Sequence, residues 1–377
     1  MRIFFDSRIT GSTASFVWHD EKIETGSADD CDWFLRPRAV RKGCVLAASE
    51  AAGEQIVLHP DVPQAAFWMK HTDNPAWSRI LSKKDYTKFL TQQVESTVNF
   101  LTKERTQYFL THFQVQQGLI DRLVQGRVSN DELVSHDFIP DEKGFVRVPE
   151  YDNAHSSTGR MSIVAGPKIL TLQKDLRRNI VSRWDDGTLV EVDFNALEAR
   201  VLAWISGLNV GQGDTYEWIS SKSGAASVGR SVIKEATLAA IYGMSQRNFA
   251  LRYQDIPDAI SVYQSVRALL RVAELDDKLK GMDSFANAFG RPLGDTNARI
   301  SHHVQSSAVD VACHGFSWLL DSVDRDFAKP VYLIHDALVI DVKNSYLSHL
   351  EKVCKDGLFV KIIDQFLPVK IRRFSGE

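Results

Sequence analysis

The sequence predicts an α+β fold in which one sheet carries two strand-end carboxylates and helical segments surround it. Three observations lead there. Thr188-Leu-Val-Glu-Val-Asp193-Phe194 and Val331-Tyr-Leu-Ile-His335-Asp336-Ala-Leu-Val-Ile-Asp341 each run an apolar, β-branched stretch into an aspartate. Between them, residues 207–298 show helical patterning with Gly-rich breaks (Gly207 to Gly213, Gly224, Gly229). Residues 1–80 instead hold short β-like runs broken by Gly, Asp and Pro. The chain has 377 residues, enough for two or three domains.

Composition narrows the classes. Hydrophobic residues make up 44% and charged residues 25%, an ordinary globular balance. No stretch approaches the roughly 18 uncharged apolar residues of a membrane span, so no membrane partner is expected. Met1-Arg-Ile-Phe-Phe-Asp6 is charged too soon for a signal peptide. Cys31, Cys44, Cys313 and Cys354 have neither metal-type spacing nor disulfide density, so reduced thiols and a cytoplasmic location are expected. The net charge is −3, so a nucleic-acid partner would need locally clustered cations.

The elements follow in order. Residues 1–82 read as a small domain with β content at Arg2–Phe5, Ser15–Trp18 and Gln55–Leu58. Four of the eight tryptophans (Trp18, Trp33, Trp68, Trp77) fall here. The basic run Arg36-Pro-Arg38-Ala-Val-Arg41-Lys42 reads as a solvated surface or as a DNA contact. From Asp85 to Leu133, Phe89, Val94, Val98, Leu101, Tyr108 and Phe109 recur at helical spacing. This predicts two long helices with a break near Gly118 or Gly126. Residues 145–205 mix strands and a helix, and residues 300–322 form one more helix before a hairpin at 331–343.

Asp193 ends its strand where Asn195-Ala-Leu-Glu198 opens a helix, so its carboxylate can hold a metal without being buried unpaired. Asn195-x-x-Glu198 also fits a capping box, with Glu198 reaching back to the backbone of Asn195. Asp336 sits at a hairpin tip, a natural place for a facing ligand and equally for an ordinary polar turn. Asp341 is a further acidic neighbour without an assigned role. Arg230, Lys234, Leu238 and Tyr242 are four apart and share one helical stripe. Two cations one turn apart repel unless an anion lies between them. Gly243 beside the Tyr242 ring lets a base come close. Two strand-end carboxylates for metal ions plus cations for a triphosphate are what nucleotidyl transfer needs.

At these residues the chain resembles the family A DNA polymerases, the bacterial polymerase I group. Asp193-Phe-Asn-Ala-Leu-Glu198-Ala-Arg200 is similar to that family's motif A. Arg230-x-x-x-Lys234 followed by Tyr242-Gly243-Met-Ser245 is similar to motif B, and His335-Asp336 to motif C. Ser157-Thr-Gly159-Arg160-Met-Ser162, then Pro167 with Thr171-Leu172-Gln173, resembles a further pair of family segments. So do Phe289-Gly290-Arg291 and then Gln305 with Asp310. All stand in the family's order between about residues 150 and 345.

The resemblance implies a right-hand polymerase: a palm sheet at 146–206 and 299–377, a helical thumb at 83–145 and helical fingers at 207–298. It implies two Mg²⁺ ions, with Mn²⁺ able to substitute, held by Asp193, Asp336 and the backbone carbonyl of Phe194. Arg230 and Lys234 would bind the dNTP triphosphate, with Lys234 the proton donor to pyrophosphate. Glu198 would exclude a ribose 2′-hydroxyl, Leu238 would pack on the incoming nucleotide, and Tyr242 would stack at the template position. Arg160, Gln305 and His335 would contact the end of the primer–template DNA, with Gln173, Arg291 and the run Lys174-Asp-Leu-Arg177-Arg178 as further DNA contacts.

Two departures stand out. Leu238 replaces the family's aromatic residue, and Ala337 replaces the Glu that follows motif C's aspartate. No Asp-x-Glu opening precedes the thumb, so a compact polymerase without 3′→5′ exonuclease is expected. A replication accessory protein is a conceivable partner. A single-subunit RNA polymerase shares the palm and the Lys…Tyr-Gly helix, and Ala337 suits a primer–template binding protein that has lost catalysis. Glu198 and the Thr-Gly-Arg segment favour DNA synthesis.

Overall fold

The computed structural model describes residues 1–37, 41–60, 76–225, 228–256, 258–282, 285–294 and 297–374, with Arg105 as backbone alone. Arg38 of the basic run and Trp68 lie outside the described residues. The architecture is mixed α and β, and it divides into two units. The first comprises Met1–Asp121 with Asn153–His155; the second comprises Arg122–Asp152 with Ser156–Glu377.

In the first unit a four-stranded sheet runs in the order Lys22–Thr25, Phe16–His19, Ile3–Phe5, Trp33–Leu35. Ile3, Phe5, Trp33 and Leu35 turn one face inward, against Phe100, Leu101, Phe109 and Phe113 of two long helices. The expected boundary at residue 82 therefore falls inside a shared core. The helices span Lys83–Thr102 and Glu104–Asp121, so the break is at Lys103 and not at the expected glycines. Lys103 leaves the helical region at φ −63°, ψ 120°. The Thr106 hydroxyl bonds the Phe100 carbonyl at 2.8 Å, satisfying an acceptor that the break orphans. Gly118 lies within the second helix, and Gly126 opens the strand Gly126–Val128 of the second unit.

The second unit is built on an antiparallel sheet ordered Ala328–Ile334, Ala337–Lys343, Gly187–Phe194, Val369–Arg373. Register places Asp193 opposite Ala337 on one side and opposite Lys370 on the other. Ile334 pairs with Ala337, leaving His335-Asp336 as a two-residue loop. Such loops require left-handed backbone, and His335 supplies it at φ 55°.

The 24-residue helix Arg299–Ser322 packs against this region, with Phe316 and Phe194 centroids 5.2 Å apart. Gly315 makes the approach possible: a Cβ there would meet Phe194 Cζ at 2.6 Å. A separate helical core centres on Arg230–Ile241, whose Ile233, Ala236, Ala240 and Ile241 pack with Phe249, Tyr263, Val266 and Leu270. Each fully buried large side chain of this kind contributes about 1.5–3 kcal/mol. No helix among the described residues is long and apolar enough to cross a membrane. The four cysteines are free thiols.

Candidate active site

Asp193 and Asp336 meet because the sheet register brings a strand end beside a hairpin tip. The amide of Phe194 donates to the Asp336 carbonyl at 3.4 Å, joining the two segments directly. Burial, and then the charge of Asp336, push the Asp193 carboxyl up to about 6. Arg372 opposes this, Glu191 adds to it, and Lys370 opposes it.

Those carboxylates and the Phe194 carbonyl are hard oxygen donors, which suits Mg²⁺ or Mn²⁺. The set fits a divalent ion that keeps further ligands for water and phosphate. No cluster of three or more His, Cys, Asp or Glu side chains able to hold a metal occurs among the described residues, so the protein offers a pair. With Ala337 at the third position, that sparseness follows from the sequence.

Beside the pair lies an open pocket whose lining includes Arg160, Glu198, Gln305, His335 and Asp336. Ala308, Ala312 and Phe316 give it an apolar floor. Glu198 accepts from Arg160 Nη2 at 2.7 Å and from the Tyr242 hydroxyl at 2.8 Å. Burial and this bond to Glu198 raise the Tyr242 phenol above its ordinary range. The capping-box reading of Asn195 and Glu198 is corrected here. The helix Leu197–Ile205 starts from Ala196 in left-handed backbone, with no side-chain cap. Glu198 is drawn away by a guanidinium and a phenol.

The helix Arg230–Ile241 carries the expected stripe, with Tyr242 at its C-cap. Lys234 is exposed and Leu238 half-buried. Arg230 is held by Asp214, whose Oδ2 accepts Nε at 3.0 Å and Nη2 at 2.7 Å. That bond raises the Arg230 guanidinium above its usual range. The guanidinium also lies 5.1 Å from the Tyr216 ring centroid.

Two expected DNA contacts stand elsewhere. Gln173 is exposed at the start of the short helix Lys174–Asn179 and does not line the pocket. Arg291 is 1% exposed and cannot reach a nucleic acid, a correction to the expected contact. Its guanidinium lies under Gly159: a Cβ there would sit 2.5 Å from Arg291 Cζ, and Gly159 has φ +69°. Glycine in Thr158-Gly159-Arg160 is therefore required on two counts, and Arg291 supports the turn that presents Arg160.

Four residues of the site were not anticipated as functional. Arg200 is buried and donates to the carbonyls of Asn195 (3.0 Å), Gly211 (2.7 Å) and Gly213 (2.5 Å). Asp214 caps the helix Thr215–Lys222 through Oδ1 while holding Arg230 through Oδ2. Glu191 and Arg372 lie beside Asp193. Asp214-x-x-Glu217 is a visible N-cap signal. Alternation in Val369-Lys-Ile-Arg372 puts two cations on one strand face, but their pairing with Asp193 is long-range.

No protein-family model matches the sequence, and no curated protein matches it. Among solved structures, the chain is similar to the POL domain of Pol1 from M. smegmatis in complex with DNA primer-template and dNTP. The TM-score is 0.48 at 16% identity, covering 88% of this chain and 63% of that one, so the chain spans less than two thirds of that structure.

Proposed function

We propose that the chain is a template-directed DNA polymerase that adds dNTPs to a primer 3′ end. The observation that carries this is the meeting of Asp193 with the His335-Asp336 turn across the sheet, beside a pocket that Asp336 lines together with Arg160, Glu198, Gln305 and His335. Segments spread from residue 160 to residue 336 contribute to that lining. The reaction joins the primer 3′-oxygen to the α-phosphorus and breaks the bond to the β-phosphate, releasing pyrophosphate. Asp193, Asp336 and the Phe194 carbonyl would hold divalent ions, which would supply activation of the 3′-hydroxyl and charge neutralisation at the pyrophosphate.

The chain's own residues bind and orient. Arg230, released from Asp214, and Lys234 grip the triphosphate from one helical face. Lys234 delivers a proton to a pyrophosphate oxygen. Glu198, fixed between Arg160 and Tyr242, stands against the sugar and excludes a 2′-hydroxyl. Gln305 and Arg160 face minor-groove acceptors that are nearly the same for every base pair. The palm comprises 146–206 and 299–377 and the fingers 207–298 in this reading.

The test is extension of a labelled primer–template with four dNTPs and Mg²⁺, beside Asp336→Ala. Extension by the wild type and none by the variant is expected. DNA binding without extension by the wild type would replace this reading with a primer–template binding protein.

A further inference from the structure

The C-terminal strand brings a cation into the carboxylate site. Val369–Arg373 pairs antiparallel to Gly187–Phe194, with Arg372 opposite Glu191 and Lys370 opposite Asp193. Residues two apart on a strand share a face, so Glu191 and Asp193 project together. The Arg372 guanidinium spans them. Its Nη2 donates to Asp193 Oδ2 at 2.7 Å and to Glu191 Oε1 at 2.6 Å, and its Nε donates to the same Glu191 oxygen at 3.1 Å.

The two ends of this fork differ. Glu191 is buried and also faces Arg177 at 3.4 Å, so it is a fixed anchor. Arg372 is 53% exposed, so it can pivot on Glu191 and let Asp193 go. A guanidinium N–H on a carboxylate oxygen occupies a lone pair that a metal ion would use. Its positive charge also repels a divalent ion at short range. Across the sheet, Ala337 adds no negative charge to offset it.

We propose that Arg372 is a resident counter-cation of the metal site, which withholds Asp193 from divalent ions until a nucleotide's phosphates bring further negative charge. The proposal rests on the polymerase reading above. It makes Arg372 a positioning residue, touching a metal ligand and not the substrate. Its consequence is an order: the free protein holds metal weakly, and nucleotide and metal load together.

The test measures Mn²⁺ binding to the full chain without DNA or nucleotide, by electron paramagnetic resonance of the unbound ion. The proteins are wild type, Arg372→Gln, Arg372→Lys and Arg372→Gln/Asp336→Asn. Arg372→Gln should bind Mn²⁺ at least tenfold tighter than wild type, equivalent to about 1.4 kcal/mol. A structural defect would weaken binding, so the direction separates the two roles. Arg372→Lys keeps the charge but lacks the fork, and should bind at least threefold tighter; it decides the matter if the glutamine variant does not fold. The double variant should lose the gain. Asp336-dependent binding of equal or lower affinity in both Arg372 variants would overturn the proposal alone. Failure of wild type and Arg372 variants to bind Mn²⁺ even at millimolar concentration would overturn the metal site, and with it the polymerase reading.

Discussion

Replacing Asp193 by asparagine should stabilise the metal-free protein while abolishing nucleotide addition. The carboxyl of Asp193 is moved from its ordinary 3.8 to about 6, first by burial and then by Asp336. At 1.36 kcal/mol per pH unit this corresponds to about 3 kcal/mol. The Asp193 side chain is 24% exposed, and solvent screening brings the expectation to about 2 kcal/mol. The sign follows from which state ionises first. Below pH 3.8 the group is protonated folded or unfolded and contributes nothing. Between 3.8 and about 6 the unfolded chain ionises while the fold resists, so stability falls as pH rises. Above about 6 the whole penalty is present. The neutral amide introduced by Asp193→Asn carries no such penalty and still accepts a hydrogen bond from Arg372. In EDTA the variant should exceed the wild type by about 2 kcal/mol at pH 8, and by roughly a third of that at pH 4.5. For a unit of this size that is about 4–8 °C in melting temperature, read by scanning calorimetry. Added Mn²⁺ should narrow the gap by stabilising only the wild type. No gain at pH 8, or an equal gain at both pH values, would refute the reasoning.

Three further outcomes are expected. Gly315→Ala drives a methyl to 2.6 Å from Phe194 Cζ, so overpacking should lower stability by about 1–3 kcal/mol in a denaturant titration; an unchanged midpoint would contradict the contact. Glu198→Ala removes the partner of Arg160 and Tyr242, and ribonucleotide incorporation relative to deoxyribonucleotide should rise at least tenfold in single-nucleotide extension. Leu238→Tyr restores a flat ring one turn before Tyr242, and dideoxynucleotide incorporation should rise; a constant ratio would remove Leu238 from the nucleotide site.

The carboxylate pair was legible because its signals are local. A β-branched run ending on Asp193, and a short hairpin around Asp336, are each read within a dozen residues. What is placed by distant pairing was not legible. Arg372 reaches Asp193 across 179 residues of sequence through strand register alone. Glu198 shows the limit in another form. Its spacing from Asn195 satisfies a capping box, and only the arrival of Arg160 and Tyr242 decides otherwise. Arg291 was misread because its place in the resemblance alone assigned it to DNA, whereas Gly159 leaves room for its burial. The helix break at Lys103 was hidden because a threonine hydroxyl stabilises it, and glycine was the expected punctuation.

Arg200 ties the two halves of the candidate site together. Its guanidinium gathers the Asn195 carbonyl, two residues beyond Asp193, with the carbonyls of Gly211 and Gly213. The next residue, Asp214, caps one helix and holds Arg230 at the head of another. The turn after Asp193 and the Arg230 guanidinium are therefore linked by three hydrogen bonds and one ion pair. A buried guanidinium presents its donors in a fixed plane, so the three carbonyls cannot shift independently. Reaction at phosphorus depends on holding the attacking oxygen and the triphosphate in line, where a displacement of about 1 Å costs about a hundredfold in rate. The three carbonyls held by Arg200 meet that demand at the turn after Asp193, while Arg230 leaves Asp214 for the triphosphate in the proposed reading. The fork at Arg372 works oppositely: it is half-exposed and anchored at one end, so it can yield. Rigidity thus lies where substrate geometry is set, and mobility lies where charge must be exchanged.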